Sequence, residues 1–211
     1  MPVLLPLFPL SLVVYPGETI RLHIFEPRYK QLVREALEQG TTFGIPAVLD
    51  QKPAGIATEM QVVRLDREYG GGELDITCQG SRKAAVREFY RAVRGKLYPG
   101  GAVEWIADER SEAGADLQYQ LVQLYESFQD ALGIRRPLPE TGQPLSYRLA
   151  HLAGMTVHQE YEVLSLHSEA ARIRYLIAHL EQALPIVRET ERLKSRVKLN
   201  GHFKNLVPPD F

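Results

Sequence analysis

Apolar positions in the first hundred residues come in short, often alternating runs, whereas those after residue 116 recur every three or four. Pro6, Pro9 and Pro16 cut the apolar N-terminal run into pieces too short for one helix. The pieces predict strands at Leu10 to Val14 and Thr19 to Ile24. Tyr15-Pro16-Gly17-Glu18 joins them, with Pro and Gly at the two central positions of a type II turn. Glu26-Pro27-Arg28-Tyr29 then opens a helix, Pro27 suiting the first helical position, where no amide hydrogen is missed. Tyr29, Leu32, Val33, Ala36 and Leu37 continue it at helical spacing to a stop at Gly40. Thr41 to Leu49 reads as a strand whose Pro46 marks an edge or a bulge, followed by a polar loop, Asp50 to Ala54.

Ile56 to Leu65 and the alternating Leu74, Ile76 and Cys78 predict two strands about the Gly70-Gly71-Gly72 hairpin loop. Gly80-Ser81 reads as a turn or bulge before a strand marked by Val86, Phe89 and Tyr90. Ala92 to Ile106 supplies one or two more strands around a Pro99-Gly100-Gly101 turn. This half is therefore mainly antiparallel β, a small distorted barrel with one inserted helix.

The pattern changes across the polar stretch Asp108 to Asp116. Leu117, Leu121, Leu124, Phe128 and Leu132 form one apolar helix face that ends at Gly133. A link with Pro137, Pro139 and Pro144 precedes short helices at Leu145 to Ala153 and Val157 to Ser165. A longer helix from Ser168-Glu169 carries Ile173, Leu176, Ile177, Leu180 and Leu184. It is expected to stop before Asn200-Gly201, with apolar Phe203, Leu206, Val207 and Phe211 packing back on the body or docking a partner. The expected fold is α+β: a β-rich subdomain at 1–112, a helical bundle at 113–185 and a C-terminal extension at 186–211.

Composition narrows the class. The chain has 211 residues, 45% hydrophobic and 24% charged, as an ordinary globular protein has. A formal net charge of -1 gives no global pull toward nucleic acid or anionic lipid. The single cysteine, Cys78, allows no internal disulfide and fits a reducing compartment; its alternating strand predicts a buried, inert thiol. No signal peptide and no run of about 20 apolar residues is evident, so a cytoplasmic location without a membrane span is expected.

LPLFPL, VVYPGE and LHIFEPRY, between residues 5 and 29, resemble the opening of the Lon N-terminal domain, the substrate-recognition part of ATP-dependent Lon protease. Gly55-Ile56-Ala57 with Ile76-Thr77-Cys78-Gln79-Gly80 is similar to the family's central hairpin, and Leu117 to about Gln182, including YRLAHL at Tyr147 to Leu152, follows its helical part. The resemblance implies a PUA-like pseudobarrel followed by a helical bundle, in a free-standing protein of this domain alone. It also implies a non-catalytic module with no cofactor. Its partners would be unfolded or apolar-rich polypeptides, and a protease or another folded protein.

The residues agree about chemistry. Gly95-Lys96 lacks the upstream glycine and following hydroxyl of a phosphate-binding loop, and no G-x-S-x-G elbow occurs. None of His151, His158, His167 and His179 are four apart, so no helical metal motif forms, and His23 lies inside the family motif. Phe8, Phe25, Glu26, Arg28 and Tyr29 are candidate peptide contacts or fold-defining residues. On the second reading Glu26 complements the helix dipole and Arg28 ties helix to barrel. Arg82, Lys83 and Arg87, with Arg91, Arg94 and Lys96 nearby, are a candidate basic strip or a solvated face. Ala84 and Ala85 stand where relatives often carry an aromatic residue or arginine. The leading expectation is binding of exposed apolar client segments. RNA binding by a PUA-like barrel is the alternative, and an enzyme with a cleft site the third.

Overall fold

In the computed structural model, residues 2–109, 113–138 and 141–201 are described. They form β1 (Val3–Pro6), β2 (Thr19–Ile24), α1 (Pro27–Gln39), β3 (Phe43–Leu49), β4 (Lys52–Glu68), β5 (Leu74–Tyr90) and β6 (Gly100–Ile106). Then come α2 (Ala115–Leu132), α3 (Leu145–Ala150), α4 (Val157–Ser165) and α5 (Glu169–Gly201). The fold is α+β, an antiparallel sheet followed by helices. The sheet runs β1-β6-β5-β4-β3, with β2 also on β5, and it does not close into a barrel. Isolated bridges from Leu7 to Gly44 and Leu10 to Ala47 lay the N-terminal segment along β3.

Local chemistry sets the α1 boundaries. Glu26 is its extended cap residue, Pro27 its first helical residue, and Gly40, at φ 64°, its left-handed stop. Tyr29, Leu32, Val33 and Ala36 turn inward onto the sheet. The Pro16-Gly17 turn also forms: Gly17 takes φ 81°, and Glu18 N–H donates to Tyr15 C=O at 3.1 Å. Pro46 lies beside a shift in register between β3 and β4.

Several strand boundaries differ from the sequence expectation. Leu10 to Val14 is not a strand; apart from the Leu10 bridge it is irregular, and its Val13 and Val14 pack into two different cores. Asp50 to Ala54 is not a loop. Asp50 and Gln51 alone make the turn, at φ 48° and 64°, and β4 resumes at Lys52. Gly80-Ser81 is no turn, since it lies within β5, but the alternative bulge is there: the register slips between Met60↔Gly80 and Thr58↔Lys83. A Cβ at Gly80 would lie 2.7 Å from the Tyr15 carbonyl, so glycine is there to let two backbones approach. Gly100 and Gly101 belong to β6 for the same reason, a Cβ at Gly101 falling 2.7 Å from the Glu88 carbonyl. The α3 helix stops at Ala150, and α5 passes Asn200 to reach Gly201, with Pro185 inside it. The tail residues Phe203, Leu206, Val207 and Phe211 lie outside the described residues.

One core joins α1 to the sheet through Phe8, Ile24, Tyr29, Phe43, Ile76 and Cys78. Burial pushes the Cys78 thiol up to about 12, so it stays a neutral apolar group. The other large core is helical, with Leu121, Phe128, Leu164, Leu176 and Leu180, yet it also takes in Val13, Tyr15 and Ala47 from the strand half. The turn carrying Tyr15 is thus driven into the helices. Gln143 Nε2 donates to Pro16 C=O at 2.9 Å, and His151 lies between Glu18 at 3.2 Å and Glu160 at 2.8 Å.

Candidate functional site

The N-terminal motif divides between core and surface. Phe8 and Tyr29 are buried and stack at 3.9 Å between ring centroids, fixing how α1 lies on the sheet. Arg28 covers the Tyr29 ring at 4.6 Å and pairs with Glu26 at 2.7 Å on the surface. Phe25 points away from this cluster and is 61% exposed. It stacks loosely on His23, 6.1 Å between centroids, and His23 in turn meets Asp75 at 2.6 Å.

The three cations of the basic strip do not share a surface. Strand alternation sends Lys83 to the opposite side of β5 from Arg82, under the α4–α5 connection, where it is 2% exposed. There its ammonium donates to Leu166 C=O at 2.7 Å and pairs with Asp108 at 2.6 Å. Burial pulls the Lys83 pKa below its ordinary value, against the opposing effect of Asp108. Arg82 is paired with Glu59 and Arg87 with Glu104, each at 2.7 Å. Lys96 is held by Glu35 at 2.8 Å. Arg82, Lys83, Arg87 and Lys96 are each matched by a neighbouring carboxylate.

Arg82 serves a different structure. Its guanidinium lies 3.5 Å from the centre of the Trp105 ring. The Glu59 carboxylate below it accepts from Arg82 Nε at 2.7 Å, Ser81 Oγ at 2.7 Å and Thr42 Oγ1 at 2.8 Å. Burial alone would raise the Glu59 pKa, but these donors outweigh it and hold the carboxyl below its usual range. The stack is therefore pre-set by a charged, hydrogen-bonded base.

On either side of the stack lies a hollow, and Arg82 and Trp105 line both. One, of about 490 Å³, runs between β1 and the end of α1. The other, of about 410 Å³, lies where the sheet meets the helices, among Pro16, Ile106, Pro144 and Tyr147. Two apolar side chains at the outer end, Val3 and Leu4, are 46% and 56% exposed. Two hollows that share a fixed aromatic rib, the first lined by Gln39, Thr41 and Thr42 as well as apolar side chains and the second more apolar, suit a ligand held by shape, apolar contact and a few hydrogen bonds. A larger hollow of about 760 Å³ lies beside Asp108, Glu169 and Arg172, but those groups are spent on one another.

Sequence reasoning missed Trp105, Val3 and Leu4. The signal available was the chain's single tryptophan, on an alternating strand beside a cation-rich one. Among the described residues no group of three or more His, Cys, Asp or Glu side chains is placed to hold a metal ion. No helix among them is long and apolar enough to cross a membrane.

Comparison with known proteins now adds the family. A Lon N-terminal domain protein from Xanthomonas campestris superposes with a TM-score of 0.65 at 29% identity, over 83% of this chain and 98% of that one. The N-terminal domain of Mycobacterium avium complex Lon protease shares the fold, with a TM-score of 0.58 at 15% identity over 85% of this chain and 98% of that one. A search of curated proteins found no match. The family model for the ATP-dependent protease La (LON) substrate-binding domain matches residues 4–182. The chain therefore belongs to the Lon substrate-binding domain family, whose domain is a non-catalytic one.

Proposed function

We propose that the groove crossing Arg82 and Trp105 receives extended, apolar-rich segments of unfolded client polypeptides. The observation that supports this most is the placing of exposed Val3 and Leu4 in line with the Trp105 rib, in a chain of the substrate-binding family. Apolar side chains left in water at a concave surface favour a partner that covers them. Tryptophan braced by arginine is the residue type that most often dominates such contacts. A protease or another folded protein would take the client onward. The cytoplasm, where Cys78 stays reduced, is the place of action in this reading. The β-rich half would act as an open form of a PUA-like pseudobarrel, with the Leu7 and Leu10 bridges taking the place of the missing seam.

The test is binding of a chemically unfolded, apolar-rich polypeptide at low and high salt, beside a structured RNA. Binding that persists in high salt, and that Trp105→Ala weakens about tenfold while Trp105→Phe retains it, supports the groove. Binding of the RNA alone, falling steeply with salt, would replace this reading with the nucleic-acid one, since phosphate contacts release counterions.

A further inference from the structure

The ends of the sheet are not alike. The outer edge of β3 is occupied: the Phe8 and Leu10 amides donate to Gly44 and Pro46 carbonyls at 2.8 and 3.2 Å, and Val48 donates to Leu10 at 2.7 Å. β1 is only four residues long and ends in proline. β2 differs from both. It pairs with β5 along six residues in unbroken register, and on its other side its backbone groups bond to nothing among the described residues.

An unpaired strand edge is a template for another extended chain, and proteins that do not use one usually blunt it with proline, a bulge or an inward charge. The sequence TIRLHI has none of these: no proline, no shift in register, and its Arg21 and His23 turned outward. The side chains along the edge alternate in character. Ile20 and Leu22 are only partly buried against the core. Arg21 is exposed and makes no direct hydrogen bond or ion pair with a described residue, although its charge helps hold the nearby Asp66 carboxyl below its usual range, whereas His23 is taken up by Asp75. A hollow of about 430 Å³ lies over the sheet face on the other side of Arg21, toward β5 and β4, with Arg64, Asp66 and Asp75 also lining it, and Phe25 stands exposed past the end of the strand.

We propose that β2 accepts an extended segment of client polypeptide as an added strand, one in which apolar residues alternate with acidic ones. Backbone hydrogen bonds to the open edge hold the segment, its apolar side chains extend the Ile20–Leu22 row, and its carboxylates face Arg21. This rests on the reading that the chain binds unfolded polypeptide. It adds a second contact, distinct from the Trp105 groove, with its own sequence preference.

The probe is a fluorescein-labelled nine-residue peptide alternating valine and aspartate, titrated into the full chain. Two further peptides carry backbone N-methyl groups on one or the other set of alternate residues, which removes the amide donors of one edge at a time. The expected result is binding of the parent peptide and at least a tenfold loss from one N-methyl set but not the other. Arg21→Glu should weaken the parent about tenfold and favour a valine–lysine peptide. Arg21 is exposed but also attracts Asp66, so Arg21→Gln, which removes the charge without setting a carboxylate beside Asp66, is measured in parallel, and the unfolding temperatures of both variants serve as the folding control. Strand addition is overturned if the peptide fails to bind where an unfolded polypeptide does, or if neither N-methyl set matters. It is also overturned if Arg21→Glu leaves the preference unchanged, or if the protein forms a dimer through β2 that excludes the peptide. Failure of the broader reading looks different, since then no unfolded polypeptide binds at all.

Discussion

Tyr15 and Tyr147 stack with ring centroids 4.8 Å apart and planes 17° from parallel, joining a turn of the strand half to a helix of the other half. The Tyr15 hydroxyl continues past the stack to donate to Glu160 C=O at 3.0 Å. Both rings are buried. This contact makes the turn part of the helical core, and several consequences follow from it.

Removing the hydroxyl and removing the ring should have separable costs. Tyr15→Phe keeps the stack and loses one hydrogen bond, about 1 kcal/mol. Tyr15→Ala also opens a cavity between the halves and should cost about 3–5 kcal/mol. Chemical denaturation of both variants checks this. A single cooperative transition, shifted in each, is expected, because the two halves share a core.

His151 gives the same junction a pH dependence. Burial would lower its pKa, but the hydrogen bonds to Glu160 and Glu18 outweigh that and push it up to about 9. A raised folded-state pKa favours the protonated form, so the stabilisation is complete below the unfolded value of about 6.5 and is lost as pH rises through 9. Denaturation midpoints measured from pH 6 to 10 should fall for the wild type relative to His151→Leu, most steeply between about pH 7 and 9. Parallel curves for the two proteins would show that His151 is not charged in the fold.

Arg172 is buried and multiply bound. It pairs with Asp108 at 2.6 Å and Glu169 at 3.0 Å, and Nε donates to Ser146 Oγ at 3.0 Å. Its guanidinium also covers the Tyr147 ring at 4.3 Å. Arg172→Met fills the volume but leaves Glu169 without its counter-charge and Asp108 with Lys83 alone, a loss of about 3 kcal/mol. Arg172→Lys should rescue less than half, because a point charge cannot span the fork of acceptors. Thermal unfolding of the two variants in the same buffer decides it.

What the sequence made legible was what local chemistry controls. Pro27 and Gly40 bound α1 because a missing amide hydrogen and a left-handed φ are properties of single residues. The Gly133 stop of α2 is of the same kind. β1 was not legible, because Val3–Pro6 is a strand only by virtue of Gly100–Val103, about a hundred positions away. Lys83 shows the same limit at the candidate site. Alternation sets it opposite Arg82, but only the tertiary fold brings Leu166 and Asp108 over one of those two sides. The Trp105 rib was hidden for the same reason, since its partner Arg82 comes from the neighbouring strand.

Gly80 makes the sharpest case for tertiary rather than local control. Its own φ is not in the left-handed region, so nothing local requires glycine there. Its amide donates to Glu18 C=O at 2.8 Å and its carbonyl accepts from Gly17 at 2.9 Å, which ties β5 to the inserted turn. A methyl group at this position would meet the Tyr15 carbonyl at 2.7 Å and the Thr58 methyl at 3.1 Å. The first contact is with backbone, which cannot rotate away. Gly80→Ala should therefore cost about 2–3 kcal/mol although alanine suits a strand no worse than glycine. The loss should fall at the Tyr15 turn, seen as faster hydrogen exchange at the Gly17 and alanine-80 amides than at β4. A variant as stable as the wild type would mean that the turn shifts to make room, and that the Tyr15–Tyr147 stack tolerates the movement.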